Sequence, residues 1–212
     1  KPDFPHDPNL ARAWKLIHDL NASSEDFALA EDIVKMVVAK EPTHAEATIV
    51  YAWHGVRTLS RSYDQTEARY IMTARYAERS MQLAPQNPWA AAALAGYLTL
   101  RNADWKRAEK LVRGAVAQKP REPRFHQMLV SILLKSDRTA ALAVAEAAAA
   151  RLPNEAIVHH ALYQCYRNLD RTDDAERALS RAIELAPSAG LIIEKVQDCF
   201  VRGDIRAMRT WL

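Results

Sequence analysis

The chain has 212 residues, a formal net charge of +3, 49% apolar and 26% charged residues. That balance is globular rather than disordered, and its interspersed signs predict no direct nucleic-acid binding. No apolar run approaches the ~18 residues of a membrane span, so no membrane insertion is expected.

Alanine is abundant, glycine is limited to 5 residues, and β-branched residues form no long alternating run, which predicts helices throughout. The chain opens on Lys1 with no signal-peptide pattern, as a processed chain or a piece of a larger one would. Residues 1–10 read as an N-terminal extension. From residue 11 onward the same cadence recurs: EDIVKMVVAKEP closes at Pro42, RYAERSMQLAP at Pro85, LVRGAVAQKP at Pro120, EAAAARLP at Pro153 and ERALSRAIELAP at Pro187. The prolines are spaced by 43, 35, 33 and 34 residues. A period of this size predicts helix–turn–helix repeats, with proline ending each second helix.

In chain order the repeats are 11–44, 45–87, 89–121, 122–155 and 156–189, with a partial unit at 190–212. The first carries Trp14 and Ala30, with Val34 and Val37 on the packing face. The second is stretched, and its extra residues fall in or beside RTLSRSYDQ, as a lengthened first helix or turn, with the partner helix starting near Thr66. The third shows Ala95, Gly96 and Ala108; the fourth Phe125, Leu129, Ala141 and Ala145; the fifth Leu162, Tyr163, Ala175 and Ala182. Small residues in these columns let paired helices approach to about 8–10 Å. In the partial unit Ile193, Val196 and Phe200 continue the seam before a Gly203–Asp204 turn; it is either a cap or a truncation.

This cadence resembles the tetratricopeptide repeat family over nearly the whole chain, whose period is about 34 residues. The resemblance implies an all-α solenoid of helical hairpins, a right-handed superhelix of about five repeats plus a C-terminal cap or partial repeat. It also implies a concave groove lined by the first helices. Three columns of side chains then face that groove. One runs through Asp19, Trp53, Tyr97, Val130, Gln164 and Asp198; a second includes Arg57, Arg101, Asn168 and Arg202; a third includes His126, His160 and Glu194. The expected partner-binding residues are Trp53, Arg57, Tyr97, Arg101, His126, Val130, His160 and Gln164, since aromatic and Arg side chains dominate protein-binding surfaces. On that reading Trp53→Ala or Tyr97→Ala weakens binding while stability falls by less than ~1 kcal/mol.

The order of features, with a polar loop in the first repeat (NASSEDFALAEDIVKMVVAKEP) and a stretched second, looks like the C-terminal repeat region of bacterial winged-helix regulators. The hyperinvasion-locus activator and CadC-like regulators are examples, and some adenylate cyclases carry a similar region. That implies a non-catalytic regulatory or sensing module in transcription regulation or signalling, binding a protein or peptide segment, with cytoplasm favoured over periplasm. Two alternatives stand beside it. One is a free-standing chaperone or assembly factor for a secretion or pilus system. The other is self-association, through Trp211 and Leu212.

Other chemistries are weak here. Adjacent His159 and His160 point about 100° apart on a helix, and no carboxylate or thiol completes a four-ligand set, so no metal or cofactor is expected. Cys165 and Cys199 occupy equivalent positions in adjacent repeats, too far apart for a disulfide, and read as half-buried reduced thiols. Phosphate-cradle, zinc-hydrolase and nucleophile-elbow motifs are absent, so the chain reads as no enzyme.

Overall fold

The computed structural model describes residues 4–211, which form twelve α-helices and no strand among the described residues. They divide into two compact units, Lys1–Gln118 and Lys119–Leu212. The first holds α1 (Pro8–His18), α2 (Ser24–Lys40), α3 (Ala45–Ser60), α4 (Glu67–Leu83), α5 (Pro88–Leu100) and α6 (Trp105–Gln118). The second holds α7 (Pro123–Leu133), α8 (Arg138–Arg151), α9 (Ala156–Asn168), α10 (Thr172–Leu185), α11 (Ala189–Val201) and α12 (Ile205–Trp211). Consecutive helices pair as hairpins, and in both units hairpins pack on their sequence neighbours.

The prolines set the rhythm. Pro42, Pro85, Pro120, Pro153 and Pro187 each lie two residues past the last residue of α2, α4, α6, α8 and α10. Proline disfavours helical geometry in the residue before it, and so ends each second helix at the same place. Entry is marked as locally: Asp7, Ser23, Thr66, Asn87 and Asp137 cap with side-chain oxygens, and Pro8, Pro88 and Pro123 occupy the first helical turn, where no N–H is needed. Alanines fill the crossings, with Ala30, Ala77, Ala108, Ala141, Ala145 and Ala182 fully buried.

In the first unit the stretched hairpin is explained by α3, which runs 16 residues and is followed by a turn at 61–66. That turn reaches back to the loop between α1 and α2. Arg61 Nη2 donates to Asp19 O at 2.6 Å, Arg61 Nη1 to Ala22 O at 3.2 Å, and the Tyr63 hydroxyl to Ala22 O at 2.8 Å. A second tie is polar and largely buried. Arg69 of α4 forks onto both Glu31 carboxylate oxygens at 3.0 Å, and Tyr51 of α3 donates to Glu31 Oε1 at 3.0 Å. Burial pushes the Glu31 carboxyl up, but the Arg69 bonds and the neighbouring positive field outweigh it and hold the group at about 2.

α1 begins at Pro8, inside the segment read as an extension, and Phe4 is buried against the first unit, its ring 5.7 Å from Trp89 and 5.1 Å from Trp14. Both cysteines are unpaired and fully buried rather than half-buried, and burial pushes the Cys165 thiol up to about 12.

Candidate functional site

Helical periodicity sets two polar stripes side by side in the second unit. On α9 the stripe is His160, Gln164, Arg167 and Asn168; on α11 it is Glu194 and Asp198, with Arg202 at the C-cap. The backbones of α9 and α11 make no close approach, because α11 packs on α10 and α12. The stripes meet through side chains instead. His160 Nε2 lies 2.8 Å from Glu194 Oε2, and Arg167 Nε lies 3.8 Å from Asp198 Oδ1.

A cleft of about 230 Å³ opens at one end of this seam, lined by Arg167, Asp170, Glu176, Asp198, Val201 and Arg202 among others. Part of its charge belongs to the fold. Lys195 is buried, and its ammonium donates to Glu176 Oε1 at 2.9 Å and Ser180 Oγ at 3.0 Å. Arg202 donates to the other Glu176 oxygen, and the bonds from Arg202 and then Lys195 hold that carboxyl at about 2. Tyr163 is buried under the seam and accepts a bond from Arg167 Nη1 at 3.1 Å; burial and the nearby Asp198 charge push its phenol up.

What remains directed outward is mixed: Arg167 is exposed, and Asp170 stands exposed at the rim. Gln164 Oε1 is buried with no hydrogen-bond partner among the described residues. A desolvated acceptor left unpaired costs about 1–3 kcal/mol. The arrangement therefore offers both signs of charge to an incoming chain, beside an acceptor that gains a partner only if the Gln164 amide turns outward.

Of the residues expected in a groove, His160 and Gln164 are brought together here, both half-buried. Three expectations are corrected. Val130 is fully buried, and His126 is buried with Nε2 2.9 Å from Pro120 O. Trp53 is 4% exposed: its indole N–H donates to Trp89 O at 2.9 Å, and Trp14, His18 and Trp89 wall its ring at 5.4–6.0 Å. Arg57 is half-buried and donates from Nε to Ile17 O at 3.1 Å. Arg101 turns toward α4, with its guanidinium 4.9 Å from the Tyr70 ring and 3.6 Å from Glu67. Tyr97 is half-buried on α5.

The columns read from sequence placed Glu194 beside His160 and Asp198 beside Gln164. They missed Arg167 and Lys195. Lys195 had a signal: it falls 34 residues after Ala161, a buried alanine of the preceding hairpin, so a charge occupies a core column. Trp211, expected to be exposed, is half-buried with the Lys195 ammonium 6.0 Å from its ring; Leu212 lies outside the described residues.

No protein-family model matches the sequence. No curated protein matches it either. Solved structures do. The human IFIT1 dimer with m7Gppp-AAAA is similar at a TM-score of 0.79 and 17% identity, over 96% of this chain. This chain spans about half, 48%, of that one. TTC0263, a thermophilic tetratricopeptide-repeat protein of Thermus thermophilus, is similar at 0.71 and 17% identity, over 91% of this chain and 97% of that one. PilW, a type IV pilus biogenesis factor, is similar at 0.68 and 12% identity, over 96% and 88%. The chain thus has the tetratricopeptide-repeat fold.

Proposed function

We infer that the chain is a non-catalytic scaffold that takes up a segment of a partner protein, with the α9–α11 seam as its docking site. The observation that carries this is the unpartnered, buried Gln164 Oε1 on a seam that opens into a charged cleft. An extended segment supplies backbone N–H groups, and one of them satisfies that acceptor once the Gln164 amide turns outward, while side chains of either sign meet Arg167 or Asp170. Four carboxylates at the seam, Asp170, Glu176, Glu194 and Asp198, stand against the three cations Arg167, Lys195 and Arg202, so the seam offers a phosphate backbone no net positive charge. That favours protein over RNA as the ligand.

The setting we propose is the regulatory or sensing part of a bacterial transcription regulator or signalling protein, cytoplasmic rather than periplasmic. Its support is the order of features along the chain, a polar loop followed by a stretched second hairpin. Service as a pilus assembly factor is the second reading, supported by the shared fold with PilW.

Panning a random peptide library on the intact chain tests the site. Enriched peptides are expected to lose affinity about 10-fold in Gln164→Leu, with unchanged helicity and equal or higher melting temperature. If Gln164→Leu and Asp198→Lys both leave the peptides bound, or a single-stranded RNA binds the seam and the peptides do not, the reading fails.

A further inference from the structure

The first unit holds an opening that its own packing does not fill. The backbones of α4 and α6 make no close approach and are bridged by Arg107, whose guanidinium lies 3.1 Å from Glu78 Oε1. Between these helices and the start of α5 lies a cleft of about 340 Å³, within the range of ligand pockets. Met81, Ala91, Leu111 and Gly114 give it an apolar lining, with Arg107 and Lys110 beside them. On α6 these residues fall at i, i+3, i+4 and i+7, so one face of the helix forms a wall.

Gly114 is the unexplained member. It sits inside α6, where glycine weakens a helix relative to alanine. A Cβ added there meets nothing within 4 Å, and its backbone is not in the left-handed region. Neither packing nor conformation requires a glycine. The residues at the same place before the other closing prolines are Met36, Arg79, Ala147 and Arg181, so among these five hairpins the glycine belongs to this one. A glycine of this kind is accounted for when something outside the fold approaches the helix backbone closely.

The charge beside the cleft says what that something is. α6 carries Lys106, Arg107, Lys110 and Arg113 against the single Glu109. Arg113 is held by Glu109 at 2.7 Å and Arg107 shares Glu78, but Lys110 is exposed and has no ion pair among the described residues. A partner with carboxylates next to an apolar anchor therefore fits both features. A nucleic-acid strand has phosphates for Lys110 but no aliphatic side chain for the apolar lining, so the lining is what favours a protein segment.

We propose that this cleft docks a segment of a partner protein in which one large apolar side chain is flanked by carboxylates. The apolar side chain fills the space over Gly114 between Met81 and Leu111, and the carboxylates meet Lys110 and the exposed edge of Arg107. It is a second site, in the other unit from the α9–α11 seam.

Fluorescence anisotropy on the full chain tests it, with labelled peptides carrying one central Leu, Phe or Trp among Asp and Glu, and matched peptides flanked by Lys. The acidic set is expected to bind, and to bind more weakly as salt is raised, while the Lys-flanked set does not bind. Gly114→Leu and Lys110→Glu should each weaken binding about 10-fold or more. Gln164→Leu should leave it unchanged, which separates this site from the seam. Gly114→Ala should raise the melting temperature, showing that the glycine is not there for the fold. Failure of the acidic peptides to bind, equal binding of the Lys-flanked set, or unaltered binding in Gly114→Leu overturns the proposal. So does a single-stranded RNA that binds in their place and is released by Lys110→Glu.

Discussion

Trp53 and His54 show how burial changes what a residue can do. The family resemblance implied a groove-facing column for Trp53, where truncation should cost less than ~1 kcal/mol. Its ring is instead enclosed by Trp14, His18 and Trp89, and its N–H is bonded to Trp89 O. Trp53→Ala should therefore cost about 3–5 kcal/mol, read as a shift in urea midpoint. His54 is 1% exposed, its Nε2 3.0 Å from Phe27 O, and desolvation by burial lowers its pKa to about 4 despite the opposing field of Glu31. The unfolded chain takes up this proton near pH 6.5, and the folded one only near 4. Stability from the neutral ring is thus full above pH 6.5 and declines as pH falls toward 4, by about 3 kcal/mol at most. His54→Leu should flatten the urea midpoint across that window. Glu31 does not confuse the measurement: its carboxyl is held at about 2, so its own loss falls mainly below the ordinary carboxylate range.

At the scale of the element, the α3–α4 hairpin turns on Gly55. A Cβ there would overlap Thr73 Oγ1 and lie 2.9 Å from Thr73 Cγ2, and Thr73 is itself fully buried with its hydroxyl bonded to Arg69 O. The contact fixes how closely the two helices cross. Gly55→Ala should destabilise by about 2 kcal/mol, through overpacking rather than lost contacts. Adding Thr73→Ala should recover part of that loss, since the clashing atoms are removed; a thermal-melt double-mutant cycle measures the coupling. Additive losses in the cycle would mean the crossing is set elsewhere. The sequence signal at this level was strong because it is local. Prolines two residues past each second helix and caps at the entries act within a turn of the backbone they control. The stretch RTLSRSYDQ was legible as surplus length for the same reason, and it became the end of α3 plus a turn. That Arg61 and Tyr63 would use that turn to hold the α1–α2 loop was not legible, because the carbonyls they reach lie some 40 residues away.

Across the molecule, the same distinction separates what sequence could say about the site from what it could not. The repeat register that the family resemblance implies sets Glu194 next to His160 in one column, and their side chains lie 2.8 Å apart. That register could not foresee that Phe4 packs on Trp14 and Trp89, or that Arg101 turns to Tyr70, because those depend on what lies opposite. The architecture itself makes a further prediction. Hairpins that touch only their neighbours sum their stabilities locally, so a defect spreads outward from where it is placed. Gly55→Ala should lower hydrogen-exchange protection about 30-fold in α3 and α4, less in α2 and α5, and not at all in α9 and α10. Exchange in α9 and α10 has its own determinants, among them the fully buried Leu179 and Ala182. A uniform fall in protection along the whole chain would instead mean that the twelve helices open as one cooperative body.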